Sequence, residues 1–243
     1  MDITEGAKSK FQGNDLAPSF RFAKEWGTLR ALNAQAHRGL WVVLLGPDGA
    51  GKSAVIGGIA AVQPAGFTGC ATSHLRPTFL RRRSNTNCDP HGQSARGTLI
   101  SVVKLVYLLV ANWLAYLVLV RPQISQGKLS LFDRYFPDCL VDPKRYRLPV
   151  SCARMTELAA RLMPEPDLYV VLDAPASVLQ ERKSEVTTEE SERQRQDYAL
   201  RMARLPNVAV VDAARPLTEV VEDVVERVSK LAQARGSGHC EGV

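Results

Sequence analysis

The sequence is poor in the residues that staple small or secreted folds. Its five cysteines, at positions 70, 88, 139, 152 and 240, form no CxxC pair and no regular spacing. An odd, scattered set argues against a disulfide framework or a cysteine-rich zinc site and reads as reduced thiols in a cytoplasmic protein. No apolar run behind a basic start occurs in the first forty residues, so a secretory leader is not expected. Internal repeats and low-complexity linkers are absent. Aromatic residues are few and are not interleaved with the cationic stretches, which leaves nucleic-acid binding without a stacking platform. The longest apolar run, LVYLLVANWLAYLVLV at 105–120, has sixteen residues and carries Asn112. A transmembrane helix needs about 20. Ser101, Lys104, Asn112 and Tyr116 fall on one helical face. The run is therefore expected to be a buried helix, largely core, whose polar stripe faces a cleft, and no membrane span is expected.

Hydrophobic residues make up 45 % of the chain, which is ordinary for a globular protein, and the net charge of +6 favours anionic partners. Short apolar runs recur at LWVVLLG (40–46), CATSHL (70–75), KLSLFD (128–133), DLYVVLD (167–173) and VAVVD (208–212). Continuous apolar runs suit strands buried on both faces. Helical stretches fall between them, at 52–61, 95–120, 151–162, 174–184, 188–204 and 216–234. Strands alternating with helices, and too far apart for hairpins, predict an α/β fold with a doubly wound parallel sheet. Residues 1–39 read as an extension with an amphipathic helix over 19–37, residues 40–235 as the main domain, and 236–243 as a flexible tail.

The first strand runs into GPDGAGKS (46–53) and then into small and apolar residues. This is GxxxxGKS in the strand–loop–helix context that gives the pattern its meaning. Gly46, Gly49 and Gly51 allow the backbone to turn its N–H groups onto phosphate oxygens. The following helix adds its N-terminal dipole. Gly46, Pro47, Asp48, Gly49, Ala50, Gly51, Lys52 and Ser53 are thus the expected ATP cradle. Lys52 would reach the terminal phosphates, and the Ser53 hydroxyl would ligate Mg²⁺. A second metal acid is expected at Asp133, at the end of KLSLFD, ahead of its rivals Asp173 and Asp212.

GPDGAGKS, LRP (75–77), FDRY (132–135) and LDAPASVLQERK (172–183) together resemble the thymidylate kinase-like branch of the P-loop kinases, over most of 40–228. The resemblance implies a three-layer P-loop NTPase fold, a five-stranded parallel sheet between helices, with lid and acceptor-binding insertions. It also implies Mg²⁺-dependent transfer of the γ-phosphate of ATP to a nucleoside monophosphate. On this resemblance Asp48 contacts the acceptor sugar, Arg76 grips the acceptor phosphate, and Asp133 with Arg134 stands between metal and acceptor. Arg182 starts the lid, and Arg193 or Arg195 closes on the phosphates. Lys52, Asp133, Arg134 and Arg182 are the catalytic candidates. Asp48, Arg76, Lys104, Asn112, Arg134 and Asp138 are the acceptor-binding ones.

The sequence also departs from that family. The position of the base-reading arginine holds Trp113, and the aromatic position four residues earlier holds Leu109. After FDRY come Asp138, Asp142, Lys144, Arg145 and Arg147, where small residues are usual. The stretch 77–97 is basic and polar. The chain looks closest to thymidylate kinase-like proteins associated with bacterial surface-polysaccharide synthesis, so a sugar or glycolipid acceptor stands beside dTMP. A regulatory P-loop ATPase is the reading from another class, and a homodimer is compatible with all three.

Overall fold

A computed structural model describes residues 38–74, 97–183 and 187–237. The helix expected over 19–37, Arg76 and residues 77–96 of the basic stretch lie outside the described residues. Five strands form one parallel sheet: β1 (Leu40–Leu45), β2 (Cys70–His74), β3 (Leu129–Asp133), β4 (Leu168–Asp173) and β5 (Val208–Asp212), in the order β2-β3-β1-β4-β5. Each coincides with an apolar run to within a residue or two. All six residues of β1 and all five of β3 are buried. This is why the runs are continuous: a strand sandwiched between helix layers has no polar face.

The helices are α1 (Lys52–Val62), α2 (Thr98–Ala115), α3 (Arg121–Ser125), α4 (Asp138–Val141), α5 (Ala153–Arg161), α6 (Ala176–Arg182), α7 (Thr188–Met202) and α8 (Leu217–Ser237). The last runs into the segment expected to be a tail. A π-helical turn, Tyr116–Val120, joins α2 to α3. It widens the helix just before Pro122, whose ring would clash with the regular i−4 carbonyl. Tyr116 packs there against Trp41 of β1, ring centroids 5.5 Å apart, and Trp41 meets Tyr135 edge-on at 5.1 Å.

The long apolar helix is oriented opposite to expectation. Its polar stripe is inside: Ser101 and Asn112 are buried. Both are satisfied within their own helix, Ser101 Oγ donating to the Gly97 carbonyl (3.1 Å) and Asn112 Nδ2 to the Leu108 carbonyl (2.8 Å). A polar side chain whose hydrogen bond is local can be buried at little penalty. The apolar residues Leu99, Val103, Val106, Val110, Trp113 and Leu117 face outward, 41 to 79 % exposed. By length and composition Thr98–Ser125 could cross a membrane, but its inner face is fixed to the domain, with Lys104 Nζ donating to the Tyr146 carbonyl.

Parallel register brings the functional ends together. Leu44 of β1 lies opposite Asp133 of β3, and Asp173 of β4 opposite Asp212 of β5. The glycine loop therefore emerges beside three strand-end carboxylates, at the edge where open α/β sheets bind ligands. Gly46 is the tightest point. Its φ is +141°, and a Cβ there would lie 2.3 Å from the Leu172 carbonyl oxygen. Gly46→Ala is expected to lower stability by about 2 kcal/mol or more, through strain and displacement of β4, measurable as a reduced midpoint in chemical denaturation.

Candidate active site

Gly49 and Gly51 adopt φ of +86° and +81°, and α1 begins at Lys52 immediately after Gly51. The loop thus curls around the N-terminus of α1 with its backbone turned inward, which makes it an anion cradle. Lys52 is buried, and its Nζ donates to the carbonyls of Gly46 (2.8 Å) and Pro47 (2.7 Å). Burial, reinforced by the charge of Arg134, brings its pKa down to about 7, against the pull of Asp48, Asp138 and Asp133. A phosphate chain in the cradle would restore the full ammonium charge, since opposite charge favours the charged form.

Ser53 Oγ donates to Asp133 Oδ2 at 2.8 Å, across 80 residues of sequence. A hydroxyl and a carboxylate, both oxygen donors beside a phosphate cradle, fit a hard cation that keeps waters and phosphate oxygens as its other ligands. The rivals of Asp133 are otherwise occupied. Asp173 forms a bidentate pair with Arg195 (2.8 and 2.9 Å), and Asp212 Oδ1 accepts from the Ala214 N–H (2.8 Å).

Behind the metal-type pair lies a buried charge network. Arg134 follows β3 with φ +69°, a left-handed conformation that costs a bulky residue on the order of 1 kcal/mol. Its Nη1 donates to both oxygens of Asp138 (3.1 and 2.8 Å), and its Nη2 donates to Asp48. The other oxygen of Asp48 accepts from Arg145. Asp138 is fully buried, and the phenols of Tyr146 (2.8 Å to Oδ2) and Tyr198 also donate to it. Burial and the Asp138 charge hold both phenols well above their ordinary pKa. Burial pushes the Asp48 carboxyl up, but Arg134, Arg145 and Lys52 outweigh it and hold it well below the usual carboxylate range. For Arg134, burial favours the neutral form and is overcome mainly by Asp138, so the guanidinium stays charged.

Several expected site residues meet here and several do not. Lys52, Ser53, Asp48, Asp133 and Arg134 converge. Asp138, expected on the acceptor wall, lies beneath it as the support of Arg134. Lys104 and Asn112, also expected to bind acceptor, are engaged with the Tyr146 carbonyl and with their own helix. Asp142 is a cap: its Oδ1 accepts from the Arg145 N–H at 3.1 Å. Arg182 Nη1 donates to the Ala213 carbonyl (2.7 Å), just after β5. Of the two lid candidates, Arg193 pairs with Glu190 and Asp197. Arg195, with Pro47, Asp173 and Tyr198, lines a cavity of about 480 Å³ beside the loop. Sequence reasoning did not select Arg145, Tyr146 or Tyr198. The cation excess after FDRY was the available signal for Arg145, but nothing in the sequence paired it with Asp48, 97 positions away.

No family model matches the chain. Two curated relatives do. A probable thymidylate kinase of Caldivirga maquilingensis is 26 % identical over 211 residues, covering 81 % of this chain and 96 % of that protein. One from Pyrobaculum calidifontis is 23 % identical over 202 residues, covering 79 % and 96 %. Among solved structures, the thymidylate kinase of Candida albicans superposes with a TM-score of 0.58 at 14 % identity, covering 81 % of this chain and 93 % of that one. The thymidylate kinase of Ehrlichia chaffeensis gives 0.51 at 13 %, covering 78 % and 98 %. The structures share the fold, and together with the loop the curated relatives support a P-loop kinase enzyme.

Removing Asp138 should expose how much the network depends on it. Asp138→Ala leaves Nη1 of Arg134 and two phenols without their acceptor and is expected to cost about 3–5 kcal/mol, read from urea unfolding. Tyr198→Phe, which removes one donor and no charge, should cost about 1 kcal/mol.

Proposed function

We propose that the protein transfers the γ-phosphate of ATP to a nucleoside monophosphate, with dTMP as the first candidate acceptor. The observation that carries this reading is the convergence of Lys52, the Ser53–Asp133 pair and Arg134 at one end of the sheet. Phosphoryl transfer asks for positioning and charge neutralisation more than for covalent chemistry. The loop N–H groups and Lys52 would hold the β- and γ-phosphates, and Arg134 would face the acceptor phosphate. Ser53 and Asp133 would hold Mg²⁺, which when bound neutralises phosphate charge. A regulatory ATPase would have no use for a second, rigidly held cation beside the phosphate cradle. We place the reaction in the cytoplasm.

One observation favours a second acceptor class. Trp113, at the position where the family resemblance implies a base-reading arginine, turns its indole outward, and its Nε1 donates to the Leu162 carbonyl at 2.8 Å. Without a donor made for a base carbonyl, discrimination for thymine falls. A sugar phosphate or glycolipid phosphate, as in surface-polysaccharide synthesis, is therefore the alternative acceptor.

The outward apolar face of α2 supports a homodimer. Leu99, Val103, Val106, Val110, Trp113 and Leu117 alternate in steps of four and three, the spacing of a helix-pairing seam. Met155, Leu158 and Leu162 on and just beyond α5 are exposed as well. Large apolar side chains exposed side by side along one helix mark an interaction surface.

Two experiments test these readings. ATP-dependent phosphorylation should be detected with dTMP or another nucleoside monophosphate, and Lys52→Ala should lower kcat by at least about 10²-fold. Turnover with sugar phosphates alone would favour the second acceptor class. Light scattering should give twice the chain mass, and Val110→Glu should give a monomer of unchanged fold. A wild-type monomer that binds lipid vesicles would replace the dimer with a membrane contact.

A further inference from the structure

The resemblance implies that Asp48 reads an acceptor hydroxyl, but the hydrogen bonds around it point elsewhere. Its two carboxylate oxygens accept from different arginines, one from Arg134 and one from Arg145. A hydroxyl donor would have to compete with two charged donors for them, and charge-assisted bonds are about twice as strong as neutral ones. Asp48 is thus a bridge between two guanidiniums.

Arg145 is held through its side chain and through its backbone. Its N–H is capped by Asp142. The turn around it is closed by Tyr146 N–H to the Pro143 carbonyl (3.2 Å) and Arg147 N–H to the Lys144 carbonyl (2.8 Å). The next residue, Tyr146, is anchored on Asp138. Burial and the neighbouring Arg134 both disfavour the charge on Arg145, and Asp48 restores it. A guanidinium has five N–H donors, and Asp48 takes one of those of Arg145. The side chain retains 20 % of its exposure, against 4 % for Asp48. Donors therefore remain at the accessible surface of the cluster, beside a second arginine and close to Lys52. Two forked cations fixed by one carboxylate make a site for a doubly charged oxyanion such as a phosphate monoester.

We propose that Arg145 is an acceptor-phosphate ligand, paired with Arg134 across Asp48, and that Asp48 orients the two arginines instead of reading a hydroxyl. The acceptor is then selected as a phosphate monoester, and a hydroxyl on its sugar contributes little at this point. The inference rests on the kinase reading above and names the groups that would hold its acceptor.

The test is calorimetric binding to the full-length protein with a non-hydrolysable ATP analogue present, run beside turnover. The ligands are dTMP, its 3′-deoxy analogue and glucose 1-phosphate. Wild type should bind at least one of these, with dTMP and the 3′-deoxy compound within about threefold of each other. Arg145→Gln should weaken that binding at least tenfold, and Arg145→Lys should recover part of it, with the affinity for the ATP analogue unchanged in both. In Arg145→Gln the released Asp48 oxygen should make the 3′-hydroxyl matter, separating the two thymidine compounds by more than threefold. Wild-type binding that falls tenfold without the 3′-hydroxyl would overturn the inference. So would monophosphate binding indifferent to Arg145→Gln, or no monophosphate binding at all. Monophosphate binding that depends on Arg145 but leads to no turnover with any acceptor would instead overturn the kinase reading and leave the ligand assignment standing.

Discussion

Asp138 is fully buried, and three side chains donate to it: Arg134, as an ion pair, Tyr146 and Tyr198. The rest of the site hangs on that ion. It fixes the guanidinium of Arg134, which fixes one oxygen of Asp48 in the phosphate loop, which in turn meets Arg145. The donors and acceptors of this network come from five separate stretches: the turn after β3, α4, the turn before α5, α7 and the loop after β1. A buried charge satisfied from so many directions is hard to relax, because moving any one element leaves an ion without a partner. The phosphate loop is thereby tied, through Arg134 and Asp138, to Tyr198 of α7.

Much of this organisation is legible in the sequence. Strands buried on both faces leave continuous apolar runs, and three glycines packed between such a strand and a helix suit a backbone that must wrap an anion. The five strands and the pairing of Ser53 with Asp133 follow from these local signals, since each residue's role is set by its immediate neighbours in the chain. Asp138 and Asp142 could not be placed in the same way. A carboxylate in a polar turn reads alike whether it faces a ligand, caps a helix or is buried under an arginine. Only contacts over long chain separations distinguish these cases, and no short stretch records them.

Helix α2 shows a different limit. Its composition is apolar enough that periodicity cannot say which face is inside, and the polar stripe was the natural candidate for a cleft. The stripe is buried because Ser101 and Asn112 complete their hydrogen bonds within one turn. Polarity then ceases to mark the outside. The residues displaced outward are large, and an apolar surface of that size on a folded domain signals a partner more than it signals a core.

Arg134 adopts a backbone conformation that suits glycine or asparagine better than arginine. The chain therefore carries, at the centre of its charge network, a residue that its own backbone disfavours. Stability selected alone would favour an apolar pair in place of Arg134 and Asp138 and a small residue at the turn. Such a chain would be a firmer sheet with an inert edge. Under the proposed kinase reading, position 134 is one where thermal robustness and chemistry pull in opposite directions, and where selection for hardiness would be expected to erode activity first.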